Sequence, residues 1–361
     1  MGRDGRVARV REHLRREGLD AFVLFSAEEA NRPSVQYLSG FTGSFAILLI
    51  TAAERFLITD NRYFLRAGEE SDFTLVKMAD RDPWPHLEAV LRDAGVRRLL
   101  FEADRLTVDL YLRLGRQGLD LAGSEGLLRR LRAVKDAEEL VCLRRAAEIA
   151  SDAFNEFYPG IRAGMTEAQL AAGLVHAMRR RGAEQPVRGR FVVASGVRGA
   201  SPHGVFTDKV VEDGDFITFD FGAVYQGYVS DITRTVGVGR VAPELVKVYA
   251  TVLEAERRTL AAVAAGISGA ALDAVARDYL AAHGYGPYFT HGVGHGIGLE
   301  LHELPLINRR NADPLPAGAV ITVEPGVYLP GLGGVRIEDD VVVREGGGEI
   351  LTSAHRELVI L

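Results

Sequence analysis

Apolar and polar positions change their rhythm about a third of the way along the chain. Before that point, short apolar runs alternate with helix-period segments. An amphipathic stretch at about 5–18 leads into AFVLFS, and FAILLI and RFLIT stand on either side of TAAE. TLVKMA is followed by the helical PHLEAVLRDAG, the strand-like RRLLFEA and a further helical stretch near 107–116. Short apolar runs bounded by turn residues predict strands, and two runs joined by a brief polar segment predict a hairpin. The alternation predicts an α/β domain over residues 1–129, and this part of the chain contains no cluster of candidate metal ligands.

A helical linker, LLRRLRAVKDAEEL, leads into a second domain, 130–361, where the spacing lengthens. Helices are predicted at about 136–158, 166–182, 242–265 and 268–283, and Thr166 with Gln169 three residues on forms a capping box. Two domains also fit the length, since 361 residues exceed what one core holds. Strand-like, glycine-rich stretches fall between and after these helices, and the candidate chemistry lies there.

Two of those stretches resemble each other, ITFDFGAVY (217–225) and ITVEPGVY (321–328). Each is an apolar strand carrying one acid, then a turn, then a strand carrying another: Asp220 with Asp231, and Glu324 with Glu338. Acids are depleted in strands and are almost never buried unpartnered. Strand alternation puts Phe216, Thr218 and Asp220 on one face, and Ile217, Phe219 and Phe221 on the other. It also sets Thr322 beside Glu324, Thr233 beside Asp231 and Arg336 beside Glu338, with the threonines expected to orient the carboxylates. One such acid reads as a surface residue, but four in two similar hairpins point to a shared centre of pseudo-twofold form. Facing carboxylates repel unless cations hold them, and two divalent ions would balance four, with a neutral His as fifth ligand. An oxygen-rich set favours Mn²⁺. Paired ions of this kind lower the pKa of a shared water and polarise a carbonyl, so the chemistry implied is hydrolysis.

The candidate histidine lies in HGVGHGIGLELHE (291–303), which offers His291, His295 and His302 among four glycines. So many glycines exclude the helix on which a helical two-histidine zinc motif depends.

Composition narrows the partners. A net charge of -6 argues against a nucleic-acid binder. The longest apolar stretch, FAILLI, is too short to span a bilayer, and the charged N-terminal segment does not read as a signal peptide. With Cys142 as the single cysteine, no internal disulfide forms, and a reducing, cytoplasmic setting is expected.

Asp220, Asp231, His295, Glu324 and Glu338, set in SDITRT, GHGIGLELHE, TVEPGVY and GVRIEDD, resemble the pita-bread metallopeptidases, and among them the Xaa-Pro peptidases aminopeptidase P and prolidase. The resemblance spans essentially the whole chain. It implies an α/β (α+β) protein with an N-terminal creatinase/prolidase-like domain and a pita-bread catalytic domain. It implies that Asp220 holds one metal, that His295 and Glu324 hold the other, and that Asp231 and Glu338 bridge them, the ions being Mn²⁺ with Co²⁺ or Zn²⁺ as alternatives. His203 in SPHGVFTD, His291, His302 and Arg336 match pocket residues, and Glu324 matches the proton shuttle. The implied substrate is a peptide with proline second, and the implied assembly a homodimer.

Methionine aminopeptidases share the five ligands but usually lack the long N-terminal domain. Creatinases share both domains but do without metals, and the complete ligand set also argues against a non-catalytic peptide-binding protein. YLSGFTGS (37–44) resembles the bacterial aminopeptidase P pattern more than that of the prolidases, so aminopeptidase P is the expected activity.

Overall fold

FAILLI and RFLIT form the hairpin that the pattern predicts, inside a six-stranded sheet. The computed structural model describes residues 2–28, 30–184 and 191–361, and the chain separates into two units, Met1–Arg132 and Ala133–Leu361. In the first unit, helix α1 (Gly2–Glu17) precedes β1 (Ala21–Ala27), α2 (Arg32–Ser39), β2 (Phe45–Thr51), β3 (Arg55–Asp60) and α3 (Phe64–Glu70). Then come β4 (Thr74–Met78), α4 (Trp84–Asp93), β5 (Arg98–Glu102), α5 (Val108–Gly115), β6 (Asp120–Ser124) and α6 (Leu127–Ala133). The sheet order is β4-β3-β2-β1-β5-β6. Its central strands are buried on both faces, which is why AFVLFS and FAILLI read as unbroken apolar runs rather than alternating ones.

The helical linker is interrupted. Helix α6 stops at Ala133, and α7 (Ala137–Phe157) starts afresh. Asp136 caps α7 by accepting the Glu138 and Glu139 main-chain N–H groups, while the Glu139 carboxylate accepts the Asp136 N–H. Lys135, inside the break, is buried and pairs with Glu303 at 3.2 Å. A charged residue that finds a buried partner far along the chain overrides the local helical preference.

The second unit is built twice over. Helices α7 and α8 (Glu167–Arg180) pack on a sheet of β7 (Val192–Ser195) and β8 (Phe216–Phe221), with the short hairpin β9 (Val224–Tyr225) and β10 (Tyr228–Val229) leading to β11 (Ile232–Gly237). The capping box of Thr166 and Gln169 is present at the start of α8. Helices α9 (Pro243–Ala262) and α10 (Gly269–Ala282) pack in turn on five strands, ordered β13-β12-β14-β17-β18. These are β12 (Gly294–Gly296), β13 (Glu303–Ile307), β14 (Val320–Val323), β17 (Asp339–Arg344) and β18 (Gly347–Ile350), with the hairpin β15 (Gly326–Leu329) and β16 (Gly333–Arg336) between β14 and β17. The two similar motifs thus occupy equivalent places: β8 pairs with β11 and β14 with β17, each pair enclosing a small hairpin.

Alternation along β8 sorts its side chains. Phe219 and Phe221 face α7, where Phe154 lies 5.8 and 5.4 Å from their ring centres. Phe216 turns the other way, towards Tyr249 of α9, and Thr218 and Asp220 share that side, reaching Thr235 and Arg336. The two halves meet at an isolated bridge between Thr233 and Glu338, where the Glu338 main-chain N–H donates to the Thr233 carbonyl at 3.1 Å.

A buried ionic cluster backs this seam. Arg234, 1% exposed, donates to the Glu338, Ala354 and His355 carbonyls and to Asp339 Oδ1. Arg356 pairs with the other Asp339 oxygen at 2.5 Å, and its Nε lies 3.7 Å from the buried Glu256 carboxyl. Burial and the adjoining Asp339 carboxylate push Glu256 up to about 9. The folded state therefore keeps a proton on Glu256 that the unfolded chain releases above about pH 4.5, so stability falls as pH climbs from there through 9. Glu256→Gln, which lacks this titration, should lose less stability than the parent between pH 6 and 9 in urea melts. The ceiling on the difference in slope is about 1.4 kcal/mol per pH unit, and parallel curves would contradict the assignment.

Candidate metal centre

Asp231 and Glu338 stand just before the starts of β11 and β17, Glu324 just past the end of β14, Asp220 one residue inside the end of β8, and His295 in the middle of β12. Ligand atoms of Asp231, His295 and Glu338 lie within 4.8 Å of one another, and all three residues are buried. Glu324 joins them, its Oε1 3.4 Å from His295 Nε2. Asp220 lines the same cavity, with one oxygen 2.5 Å from Arg336 Nη2. All five predicted ligands therefore converge on a single place, two from each hairpin and the histidine from β12.

The donor set fits divalent cations. Burial, followed by the repulsion of Glu338, Asp220 and Glu324, pushes Asp231 well above the usual carboxylate range. Burial and the charges of Glu324 and Asp220 do the same to Glu338. Such a cluster is stable either protonated or neutralised by cations. The imidazole is oriented by its other nitrogen: His295 Nδ1 lies 3.0 Å from the Gly296 carbonyl. A carbonyl only accepts, so Nδ1 carries a hydrogen, and Nε2 is the nitrogen turned to Asp231 and Glu324, at 3.7 and 3.4 Å.

The supporting hydrogen bonds differ from those that strand alternation suggests. Thr233 lies on the strand following Asp231, yet its hydroxyl donates to Glu338 Oε2 of the other hairpin at 2.6 Å, because the bridge brings β11 against the residue before β17. Thr322 does donate to Glu324, at 3.3 Å. Asp231 is held through its main-chain N–H by Asp340 Oδ2 at 3.0 Å. Arg336, two residues from Glu338, directs its guanidinium to Asp220, to the Thr233 hydroxyl and to Tyr328 Oη. Burial alone would lower its pKa, but Tyr328 and Asp220 outweigh this and push it up.

The cavity, about 420 Å³, is lined by the remaining candidates His203, His291, His302 and Arg336, together with Thr290 and Asn308. The His302 ring lies 4.3 Å from that of His295. His291 Nδ1 is 2.8 Å from the Gly292 carbonyl, so its Nε2 accepts from Tyr328 Oη at 2.9 Å. Tyr328 in turn accepts from Arg336 Nη1 at 2.7 Å. Burial, with Arg336 nearby, lowers the His291 pKa to about 4, which keeps that ring neutral. Sequence reasoning missed Tyr328 as the link between His291 and Arg336, although it lies inside ITVEPGVY. The glycines of HGVGHGIGLELHE serve the sheet itself: a Cβ at Gly294 would collide with the Thr322 carbonyl, and one at Gly296 with that of Leu304.

Residues 141–345 match the model of metallopeptidase family M24, and residues 6–134 match the creatinase/prolidase N-terminal domain. An Xaa-Pro dipeptidase of Pyrococcus horikoshii is 35% identical over 98% of this chain and 98% of its own length. Among solved structures, an X-Pro aminopeptidase from Thermotoga maritima is 43% identical with a TM-score of 0.92, covering 98% of this chain and 99% of its own. An Xaa-Pro dipeptidase from Bacillus anthracis is 39% identical with a TM-score of 0.94, each chain covered in full (100% and 100%).

Proposed function

The chain belongs to metallopeptidase family M24, with a creatinase/prolidase N-terminal domain and the kinship of Xaa-Pro peptidases, and from that premise we propose that it is an Xaa-Pro dipeptidase. The observation that carries this reading is the likeness, over almost the whole of both chains, to the Pyrococcus horikoshii dipeptidase. Aminopeptidase P, which YLSGFTGS favoured, becomes the second reading, supported by the Thermotoga maritima structure.

Divalent metal use follows from the family and from the buried triad. In the proposed site Asp220, Asp231, His295, Glu324 and Glu338 would hold two divalent ions, with Mn²⁺ as the metal and Co²⁺ or Zn²⁺ as alternatives. The ions would supply an activated water and polarise the scissile carbonyl. The protein's own groups do the rest. Glu324 takes the proton released by the attacking water and carries it to the leaving side. The prolyl nitrogen has no N–H in the substrate, so it must gain a proton to depart. His203 and His302 face the peptide from the cavity wall, while Arg336 and Tyr328 hold Asp220 and His291 in place. A homodimer in a cytoplasmic setting completes the reading.

The test is Mn²⁺-loaded protein offered Ala-Pro, Ala-Pro-Ala and Ala-Ala-Ala side by side. Cleavage of Ala-Pro alone supports the dipeptidase, cleavage of Ala-Pro-Ala supports the aminopeptidase, and cleavage of Ala-Ala-Ala alone overturns both. His302→Ala should lower kcat by about 10²-fold with bound metal unchanged by elemental analysis. Metal loss in that variant would instead make His302 a ligand.

A further inference from the structure

Glu167, the first residue of α8, is fully buried and is not among the residues that line the cavity. Its carboxylate gathers donors from both ends of the segment that carries His203. At the near end, Ser195 donates through its main-chain N–H (2.8 Å) and its hydroxyl (3.0 Å). At the far end, Thr207 does the same at 2.9 and 2.8 Å. Between them, Arg198 Nε lies 3.2 Å from both carboxylate oxygens, and its Nη2 donates to the Val205 carbonyl. The Glu167 and Ala168 main-chain N–H groups donate to the Lys209 and Thr207 carbonyls, tying the end of the segment to the start of the helix. The loop from Ser195 to Thr207 is thus closed on one carboxylate, much as a purse closes on its string.

The middle of that loop is the cavity wall. Pro202 and His203 line the cavity, and the Pro202 carbonyl accepts from Arg336 Nη1 at 3.2 Å, the same guanidinium that holds Asp220. The loop is therefore pinned at its base by Glu167 and at its tip by the arginine beside the metal ligands. Ionised acceptors form the stronger hydrogen bonds, and a buried carboxylate that satisfies donors from several chain positions fixes their relative placement.

We propose that Glu167 is a positioning residue: it sets where His203 stands in the cavity, and through His203 it governs how the substrate is met. This rests on the reading of His203 as a group that faces substrate. Displacement of a reacting or orienting group by about 1 Å costs on the order of 10²-fold in rate, so loss of the Glu167 charge should be felt at the chemistry from outside it.

The experiment is a double-mutant cycle on the Mn²⁺-loaded full chain with Ala-Pro as substrate, reading kcat, KM, bound metal and Tm for Glu167→Gln, His203→Ala and the pair together. The expected result is a loss of about 10–10²-fold in kcat/KM for Glu167→Gln with metal content retained, and a double variant no slower than His203→Ala alone. Losses that multiply in the double variant would show Glu167 acting without His203 and would overturn the proposal, as would parental kinetics in Glu167→Gln. Parental kinetics in His203→Ala would instead remove the premise, and the proposal with it. Should Glu167→Gln fail to fold, Thr207→Val, which deletes one of the same bonds, takes its place in the cycle, and the same outcomes support or overturn the proposal.

Discussion

Glu338→Ala is expected to abolish hydrolysis of Ala-Pro and to lower the metal bound per chain. Glu338 stands where the two halves of the catalytic unit join: its main chain donates to Thr233, its carboxylate accepts from the Thr233 hydroxyl, and its oxygens reach the ligand atoms of Asp231 and His295. In the arrangement that the family resemblance implies it bridges both ions, so its removal strips a ligand from each and leaves three carboxylates to balance two dications. Glu338→Gln, which keeps the side-chain volume and removes only the charge, separates this from a general loss of structure. Full activity in a fully metal-loaded Glu338→Ala protein would refute the bridging role and the paired centre with it.

Arg234→Ala should carry the largest cost in stability. The guanidinium is sealed from solvent, yet it makes hydrogen bonds to the Glu338, Ala354 and His355 carbonyls and pairs with Asp339 at 2.8 Å. Removing one member of a buried ion pair strands the other charge and costs about 3–5 kcal/mol. For a unit of this size that corresponds to a fall in Tm on the order of 10 °C. Arg356, which also reaches Asp339, limits the loss without replacing the carbonyl bonds. A Tm within about 2 °C of the parent would mean that Arg356 and solvent compensate fully. Because Arg234 also grips the Glu338 main chain, the variant should bind metal more weakly wherever it remains folded.

Much of this was legible beforehand because single-strand patterns carry it. An acid in an otherwise apolar strand, repeated in a second similar strand, marked Asp220, Asp231, Glu324 and Glu338, and the capping residues marked the start of α8. Relations that cross between elements were not legible. Strand alternation places Thr233 relative to Asp231, but only the bridge to the residue before β17 shows that its hydroxyl serves Glu338. Tyr328 looks like one more apolar-strand aromatic until His291 and Arg336 are found on either side of its hydroxyl. The break before α7 hides for the same reason, since the partner of Lys135 is 168 positions away. Strand β6, DLAGS, lacks an apolar run because it lies at the edge of its sheet and is only half covered.

The seam at Thr233 and Glu338 also places a natural isotope reporter at the centre of the enzyme. The Glu338 amide hydrogen is donated from one half to the main chain of the other, and each half has its own core. It can exchange with deuterium only when those halves part locally. Its exchange rate therefore measures how often the two hairpins separate, and a ligand that clasps both of them slows this hydrogen before it slows the cores on either side.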